Sequence, residues 1–320
     1  MSAPASSAAM TRYILGRILQ LVPVLWLIST IIFVVMHMLP GDPAELMLAG
    51  AEGGAITPER LAELKREMGL DDPLLVQYLR FLANAAIGDL GSSVRFRLPV
   101  AELIADRFGS TLALSVCGLV ISVAVGVPLG MLAAMRQNSA ADAFTMALSY
   151  VGASMPVYWL GLLLILFFSF NLGWFPPAGA DDWRSLVLPS TTIGLVAAGL
   201  IARLVRSSMI EVLREDYIRT GHAKGLSAAV VLWRHGLKNA MIPVITMIGL
   251  QFGGMLAGAV VTETVFSRPG VGRLVVNAIL AKDYPLVQGC VIFLAFVYLA
   301  VNLVVDIAYA WLDPRIRYGR

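Results

Sequence analysis

The sequence predicts an all-α integral membrane protein with six transmembrane helices and a small helical segment outside the bilayer after the first. Three observations carry this. Of the 320 residues, 58% are hydrophobic and only 14% charged, against about 25% charged in soluble domains, and the mean hydropathy is +0.78. The apolar stretches run about twenty residues without alternation, which suits helices and not the alternating, roughly ten-residue strands of a membrane barrel. Six such stretches have uncharged cores, where each charge at the membrane centre would cost about 2.5–3.5 kcal/mol. A water-soluble enzyme, a disordered chain and a collagen-like chain are excluded. A net charge of +3 is too small to imply a nucleic-acid partner, and Cys117 and Cys290 both lie in apolar stretches, against a disulfide framework or a cysteine zinc site.

Residues 1–12 are read as a cytoplasmic tail and 13–39 as the first span. The uncharged run from Ile18 to Pro40 exceeds the about 7–15 residues of a signal-peptide core. It ends in Leu39-Pro40-Gly41-Asp42-Pro43, not in small residues fit for cleavage, so it is expected to remain as a helix. Residues 40–107 form the extracytoplasmic segment. Thr57-Pro58-Glu59 reads as a helix start, with Leu61, Leu64, Met68 and Leu70 as its apolar residues and Gly69 to close it. Asp72-Pro73 starts a second helix, with Leu75, Tyr78, Leu79 and Leu82 on one face. The core then covers 108–311: spans at 108–135, 143–170 and 185–206, a loop at 207–240, and spans at 241–264 and 284–311. Residues 312–320 are a second tail.

Orientation follows from the basic residues. Arg206, Arg214, Arg219, Lys224, Arg234 and Lys238 surround the 207–240 loop against Glu211, Glu215 and Asp216. The N-terminal region adds Arg12 and Arg17, and the C-terminus adds Arg315, Arg317 and Arg320. Six spans put these three regions on one side, which must be the cytoplasm. Within the loop, residues 207–224 suit an amphipathic helix ending at Gly225, and Ser227 can cap another. A helix–Gly–helix module of this kind is what a soluble cytoplasmic partner would dock on, while a solvated basic loop held near anionic lipid reads the same composition differently.

Fragments along nearly the whole chain carry a family likeness. They are Arg17-Ile18-Leu19, Phe33-Val34 through Leu39-Pro40-Gly41-Asp42-Pro43, Met68-Gly69-Leu70-Asp71, Gly88-Asp89-Leu90-Gly91 with Ser93, and Ser154-Met155-Pro156. Further on come Asp216-Tyr217-Ile218-Arg219-Thr220, Ala223-Lys224-Gly225-Leu226, Arg234-His235, Asn239-Ala240, Glu263-Thr264-Val265-Phe266, Pro269-Gly270-Val271-Gly272 and Leu312-Asp313-Pro314-Arg315-Ile316-Arg317. In this order the chain resembles the permease subunits of binding-protein-dependent ABC importers of the dipeptide, oligopeptide and nickel group. The resemblance implies a type I importer permease fold and alternating access. It implies as partners a second homologous permease, two ATP-binding subunits and an extracytoplasmic solute-binding protein, in the bilayer of a bacterial inner membrane.

It also implies that a short helix in the 207–240 loop couples to an ATPase subunit. Aligning the family's loop glycine with Gly225 puts Arg219, Thr220 and Gly221 where Glu-Ala-Ala commonly stands. The expected contact is Glu215, Asp216, Tyr217, Ile218, Arg219, Thr220, Gly221, His222, Ala223, Lys224, Gly225 and Leu226. By the same resemblance the segment with Glu263, Arg268, Gly270 and Gly272 faces the binding protein, as does the 41–107 cap. Cargo remains open between peptide, expected from family frequency, and glutathione or a nickel chelate.

Catalysis is not expected. A P-loop needs Gly-Lys-Ser/Thr, and Lys65, Lys224, Lys238 and Lys282 all lack both neighbours. The chain is expected to bind no cofactor or metal, with ATP and Mg handled by partner subunits. The rival from another class is an intramembrane serine protease with Ser154 as nucleophile, which needs a histidine in reach; His37, His222 and His235 are placed elsewhere. Ser154-Met155-Pro156 reads more simply as a helix-bending element. A passive channel would not need the docking loop. Ser154, Pro156, Gln251, Gly254 and Gly258 are candidate pathway or subunit-contact residues, because small residues allow close helix approach and a polar group at depth needs a partner.

Overall fold

The computed structural model describes residues 7–38, 44, 58–67, 69–227 and 230–312. The Thr57 cap, the Leu39–Pro43 turn, Met68 and the tail from Asp313 lie outside the described residues. All regular structure among the described residues is helical. In order the helices are α1 Ser7–Met38, α2 Pro58–Glu67, α3 Leu74–Ala86, α4 Val100–Met135, α5 Ala140–Ser154, α6 Val157–Leu164 continuing as a π-turn Ile165–Asn171, and α7 Arg184–Leu213. Then come α8 Asp216–Ala223, a π-segment Val231–Leu237 running into α9 Lys238–Val265, α10 Val271–Leu280, and α11 Tyr284–Leu312.

Five stretches are long and apolar enough to span a membrane unbroken: α1, α4, α7, Val231–Val265 and α11. The sixth is the pair α5 and α6, bent by 105°. Pro156 causes the break. Met155 is forced extended (φ −77°, ψ 129°), because the residue before a proline avoids the helical region, and a new helix starts from Pro156. The third span, expected over 143–170, is this bent pair, with the bend at the Ser154-Met155-Pro156 element read from the sequence. Two helices also outrun their uncharged runs. Helix α4 starts at Val100 rather than 108 and takes Glu102, Asp106 and Arg107 into its first turns, and α7 reaches Leu213, well into the expected loop. Uncharged runs mark only the part of a helix that hydrocarbon covers, so they understate the helix. Helix α10 was not anticipated.

The chain divides into two compact units, Met1–Thr111 with Pro269–Leu299, and Leu112–Arg268 with Ala300–Arg320. In the first, Val100, Ile104, Val271, Leu274, Leu286, Val287 and Cys290 form a buried cluster. Asp283, itself buried, holds a loop to it: its carboxylate accepts from Ser93 Oγ (2.5 Å), Val94 N (3.2 Å) and Arg95 N (3.1 Å), and from Leu286 N (3.3 Å) at the start of α11.

Helix α3 lies on α1 through Phe33, whose ring meets Tyr78 and Phe81 at 5.3 and 5.5 Å, and through the Thr30–Tyr78 hydroxyl pair at 2.7 Å. The expected face of Leu75, Tyr78, Leu79 and Leu82 is thus turned by about one position, leaving Leu75 and Leu79 exposed. The cause is Gln77, whose amide donates to the Leu70 and Asp72 carbonyls and so must face the loop. Helix α2 closes as expected, with Gly69 at φ +66°.

In the second unit α7 is the hub. Its residues Ile193, Ala197, Ala198, Ile201, Ala202, Val205 and Met209 are all buried. Glycines let α4 lie parallel to it at backbone contact: a Cβ on Gly126 or Gly130 would sit 2.8 or 2.5 Å from the Ala198 or Ala202 carbonyl oxygen. On another side Gly199 of α7 meets Ser149 of α5, where a Cβ would fall 2.5 Å from the Ser149 carbonyl oxygen.

Candidate coupling surface

Helix α7 ends at Leu213, and after Arg214 and Glu215 the chain turns directly into α8. Asp216 in the first turn and His222 in the last suit the helix dipole. The end is a glycine stop: Gly225 has φ +78°, Gly225 N bonds to His222 O, and Leu226 N bonds to Gly221 O. This is the paired closure that a left-handed residue permits. Ser227 caps the following turn through Val230 N at 3.4 Å.

Only one narrow face of α8 is buried, at Ile218 and Gly221. A Cβ on Gly221 would approach Val231 Cγ2 at 3.5 Å, and Val231 is itself buried. Glu215, Asp216, Tyr217, Arg219, Thr220, His222, Ala223, Lys224, Gly225 and Leu226 are all exposed. The Arg219–Asp216 pair, 3.9 Å apart and almost fully exposed, adds little to stability. The amide of Asn239, in the first turn of α9, donates to the Tyr217 hydroxyl at 2.9 Å. Sequence reasoning did not find that tether; the four residues Arg234-His235 and Asn239-Ala240 were visible only as fragments of a likeness.

The other expected site residues fall in three groups. Ser154 and Pro156 are exposed at the bend between α5 and α6. Gly254 and Gly258 are exposed on α9, with nothing within 4 Å of a Cβ at either, and they share a face with exposed Leu250 and Val261. Gln251 keeps its Nε2 buried without a hydrogen-bond partner. The third group lies inside the chain. Glu263 and Arg268 are 0% and 7% exposed, and Gly270 and Gly272 are buried too, so none of the four presents a side chain at the surface. Arg268 N bonds to the Glu263 carbonyl at 2.8 Å. Burial pulls the Arg268 guanidinium below its usual range, with the Glu263 carboxylate opposing that shift. Within the same segment Thr264 is exposed and Val265, Ser267 and Pro269 are half-buried.

In the first unit a recess of about 800 Å³ opens between α1, α3 and the start of α11, with His37, Gln77, Arg80, Asn84 and Gln288 over Phe33 and Phe81. No cluster of three or more metal-ligating side chains occurs among the described residues.

Five unbroken stretches and one bent pair long and apolar enough to cross a membrane, with an exposed short helix following α7, define a multi-pass membrane protein. The chain belongs to the family described as the binding-protein-dependent transport system inner membrane component, which it matches over residues 126–318, with the N-terminal component of that system matched over 10–115. It is 45% identical over 309 residues to the glutathione transport system permease protein GsiC of Escherichia coli strain K12 and to that of Salmonella paratyphi A, covering 97% of this chain and 100% of each relative. Among solved structures it is similar to an inward-facing form of the MetNI methionine ABC transporter (TM-score 0.58, 16% identity, 66% of this chain and 96% of that one). It is also similar to an amino acid ABC transporter (TM-score 0.50, 14% identity, 67% and 94%). The fold is that of a type I ABC importer permease, and the chain is an inner-membrane permease subunit of a binding-protein-dependent ABC importer of the peptide and nickel type.

Proposed function

We propose that this subunit imports a short peptide by alternating access, driven by ATP hydrolysis in two separate ATP-binding subunits, and that glutathione is the first cargo to test. The observation that carries the energy-coupling part is α8: a short helix with Ile218 and Gly221 buried and every other side chain exposed, continuous with the most buried span. A partner that grips the exposed face moves α7 directly. Residues 215–226 are the contact, in the cytoplasm together with both termini, and the chain itself carries no cofactor; ATP and Mg are used by the partners.

The exposed face of Leu250, Gly254, Gly258 and Val261 on α9 is where a second, homologous permease packs, since small residues let helices approach closely in lipid. A solute-binding protein meets the segment after α1 and its recess. Exposed neighbours of the buried Glu263–Gly272 stretch take over the contact first expected of those residues. The glutathione reading rests on 45% identity along the full length of permeases named for glutathione transport; glutathione is a tripeptide, so it narrows the peptide expectation. Reconstitution in proteoliposomes with the co-encoded ATPases, second permease and binding protein tests it. Uptake of labelled glutathione that competing dipeptide fails to reduce supports the reading, and uptake of a nickel chelate or dipeptide in its place overturns it.

A further inference from the structure

Arg206 and Asp142 make a two-pronged ion pair between α7 and α5. Arg206 Nε donates to Asp142 Oδ1 at 2.6 Å and Nη2 to Oδ2 at 2.7 Å. Such a fork fixes angle as well as distance, which a lysine would not do. Asp142 is nine-tenths buried or more and Arg206 about a quarter exposed. Asp142 Oδ2 also accepts from Asn138 N at 3.0 Å, while its own N–H reaches the Ser139 cap, so the carboxylate anchors the very start of α5.

The fork is the first of a series of fastenings. Proceeding along α5 from Asp142, Ser149 meets Gly199 at backbone contact and Gly152 lies against the Leu195 carbonyl. The two helices therefore keep one antiparallel register from Asp142–Arg206 onward. The Arg203 guanidinium also lies 4.9 Å from the centre of the Tyr150 ring. Two arginines one turn apart on α7 are thus both committed to α5. Interdigitated backbones of this kind do not slide without losing the register altogether. Arg206 stands two turns before the end of α7, about 10 Å along its axis, and α8 follows at once. At the other end of α5 comes the 105° break at Met155-Pro156.

We propose that Asp142 and Arg206 are positioning residues for energy coupling: their fork locks α5 to α7, so that α5 moves with α7 and the α8 handle. This rests on the reading of α8 as the ATPase contact. A partly buried ion pair is weak evidence of stability in itself, so the fixed geometry of the fork is the feature this proposal rests on.

The test uses the complete transporter, with Cys117→Ala and Cys290→Ala as background. Binding-protein-stimulated ATP turnover and uptake per ATP are measured for Asp142→Cys, Arg206→Cys and the double variant, before and after a short bifunctional thiol crosslinker. Arg206→Lys, which keeps the charge and drops the fork, is compared alongside. The single variants and Arg206→Lys are expected to co-purify with their partners and lose uptake per ATP roughly tenfold, in the range that coupling between sites produces. Crosslinking the double variant is expected to restore it. Wild-type coupling in the singles, or a crosslinked double variant that assembles and stays uncoupled, overturns the proposal. Substitutions in α8 measured in parallel separate the two layers: if they too leave turnover unchanged, the α8 reading fails; if they abolish it while the fork variants do not, only the lock fails.

Discussion

Asn239 donates one hydrogen of its side-chain amide to the Tyr217 hydroxyl at 2.9 Å and another to the His235 carbonyl at 3.0 Å. It thereby ties the exposed handle α8 to the first turn of α9. One hydrogen bond is worth about 0.5–1.5 kcal/mol net, and this exposed one adds to the buried contacts of Ile218 and Gly221 on an eight-residue helix.

Loss of that tether has a defined signature. Asn239→Ala and Tyr217→Phe are each expected to lower binding-protein-stimulated ATP turnover about three- to tenfold. The double variant is expected to be no worse than either single, because residues sharing one bond are not additive. A double-mutant cycle on the reconstituted complex reads this; fully additive losses would remove the tether.

The α4–α7 contact predicts a contrast between glycines. A Cβ on Gly130 would come 2.5 Å from the Ala202 carbonyl oxygen and 2.7 Å from Val205 Cβ, so Gly130→Ala forces two packed helices apart. A cost of about 1–3 kcal/mol is expected, seen as a lowered Tm of the purified complex. Gly254→Ala meets nothing within 4 Å in this chain and should leave the subunit's own fold intact. Gly254→Leu should instead reduce recovery of the second permease in co-purification, since the larger side chain blocks the face offered to it.

Asp283 predicts a proteolysis result. Removing its carboxylate takes the partner from the buried Ser93 hydroxyl, at about 1–3 kcal/mol if left unsatisfied, and releases the part-buried Val94 and Arg95 amides to water. Arg95 and Arg97 are already exposed, so Asp283→Ala should make them cleavable by freeing the loop after Ser93 to unfold into trypsin's active site, at concentrations that spare the wild type. Mass spectrometry of the fragments locates the cuts, and unchanged protection would show that the core cluster alone holds this loop.

Ser154 separates the transporter from its enzymatic rival. The residue is exposed at a proline-driven bend, so Ser154→Ala should leave uptake within about twofold of wild type. Its hydroxyl offers less to folding than a buried group would. Loss of a proteolytic activity in that variant would favour the rival.

The handle was the part most legible in the sequence. Gly225 as the stop and Ser227 as the next cap are local signals, and each acts through its own backbone; the break at Arg214-Glu215, which divides the helix expected over 207–224, was not legible. The two helices after α1 were legible for the same reason, from Pro58, Gly69 and Pro73. What escaped was set by partners far away in sequence. Asp142 gives no sign that it will meet Arg206. Gln77 is the exception in distance: its carbonyl partners are near in sequence, and only the loop's geometry presents them. Helix α10 followed a Pro-Gly segment that reads as a turn, and its apolar face was too short to register as a span. Glu263 and Arg268 were placed by resemblance alone, and their burial could not be read from their residue types, since charged side chains are mostly exposed.

The most direct measurement is ATP turnover by the complete transporter in lipid nanodiscs, with saturating loaded binding protein. The variant for comparison is Arg219→Ala/Thr220→Ala/His222→Ala, which changes exposed side chains of α8 and touches neither Ile218 nor Gly221. The expected result is a subunit that folds and pairs with the second permease yet loses the ATPases on purification, or retains them with stimulation lowered about tenfold or more. Stimulated turnover and uptake equal to wild type in that variant would contradict the coupling role of α8.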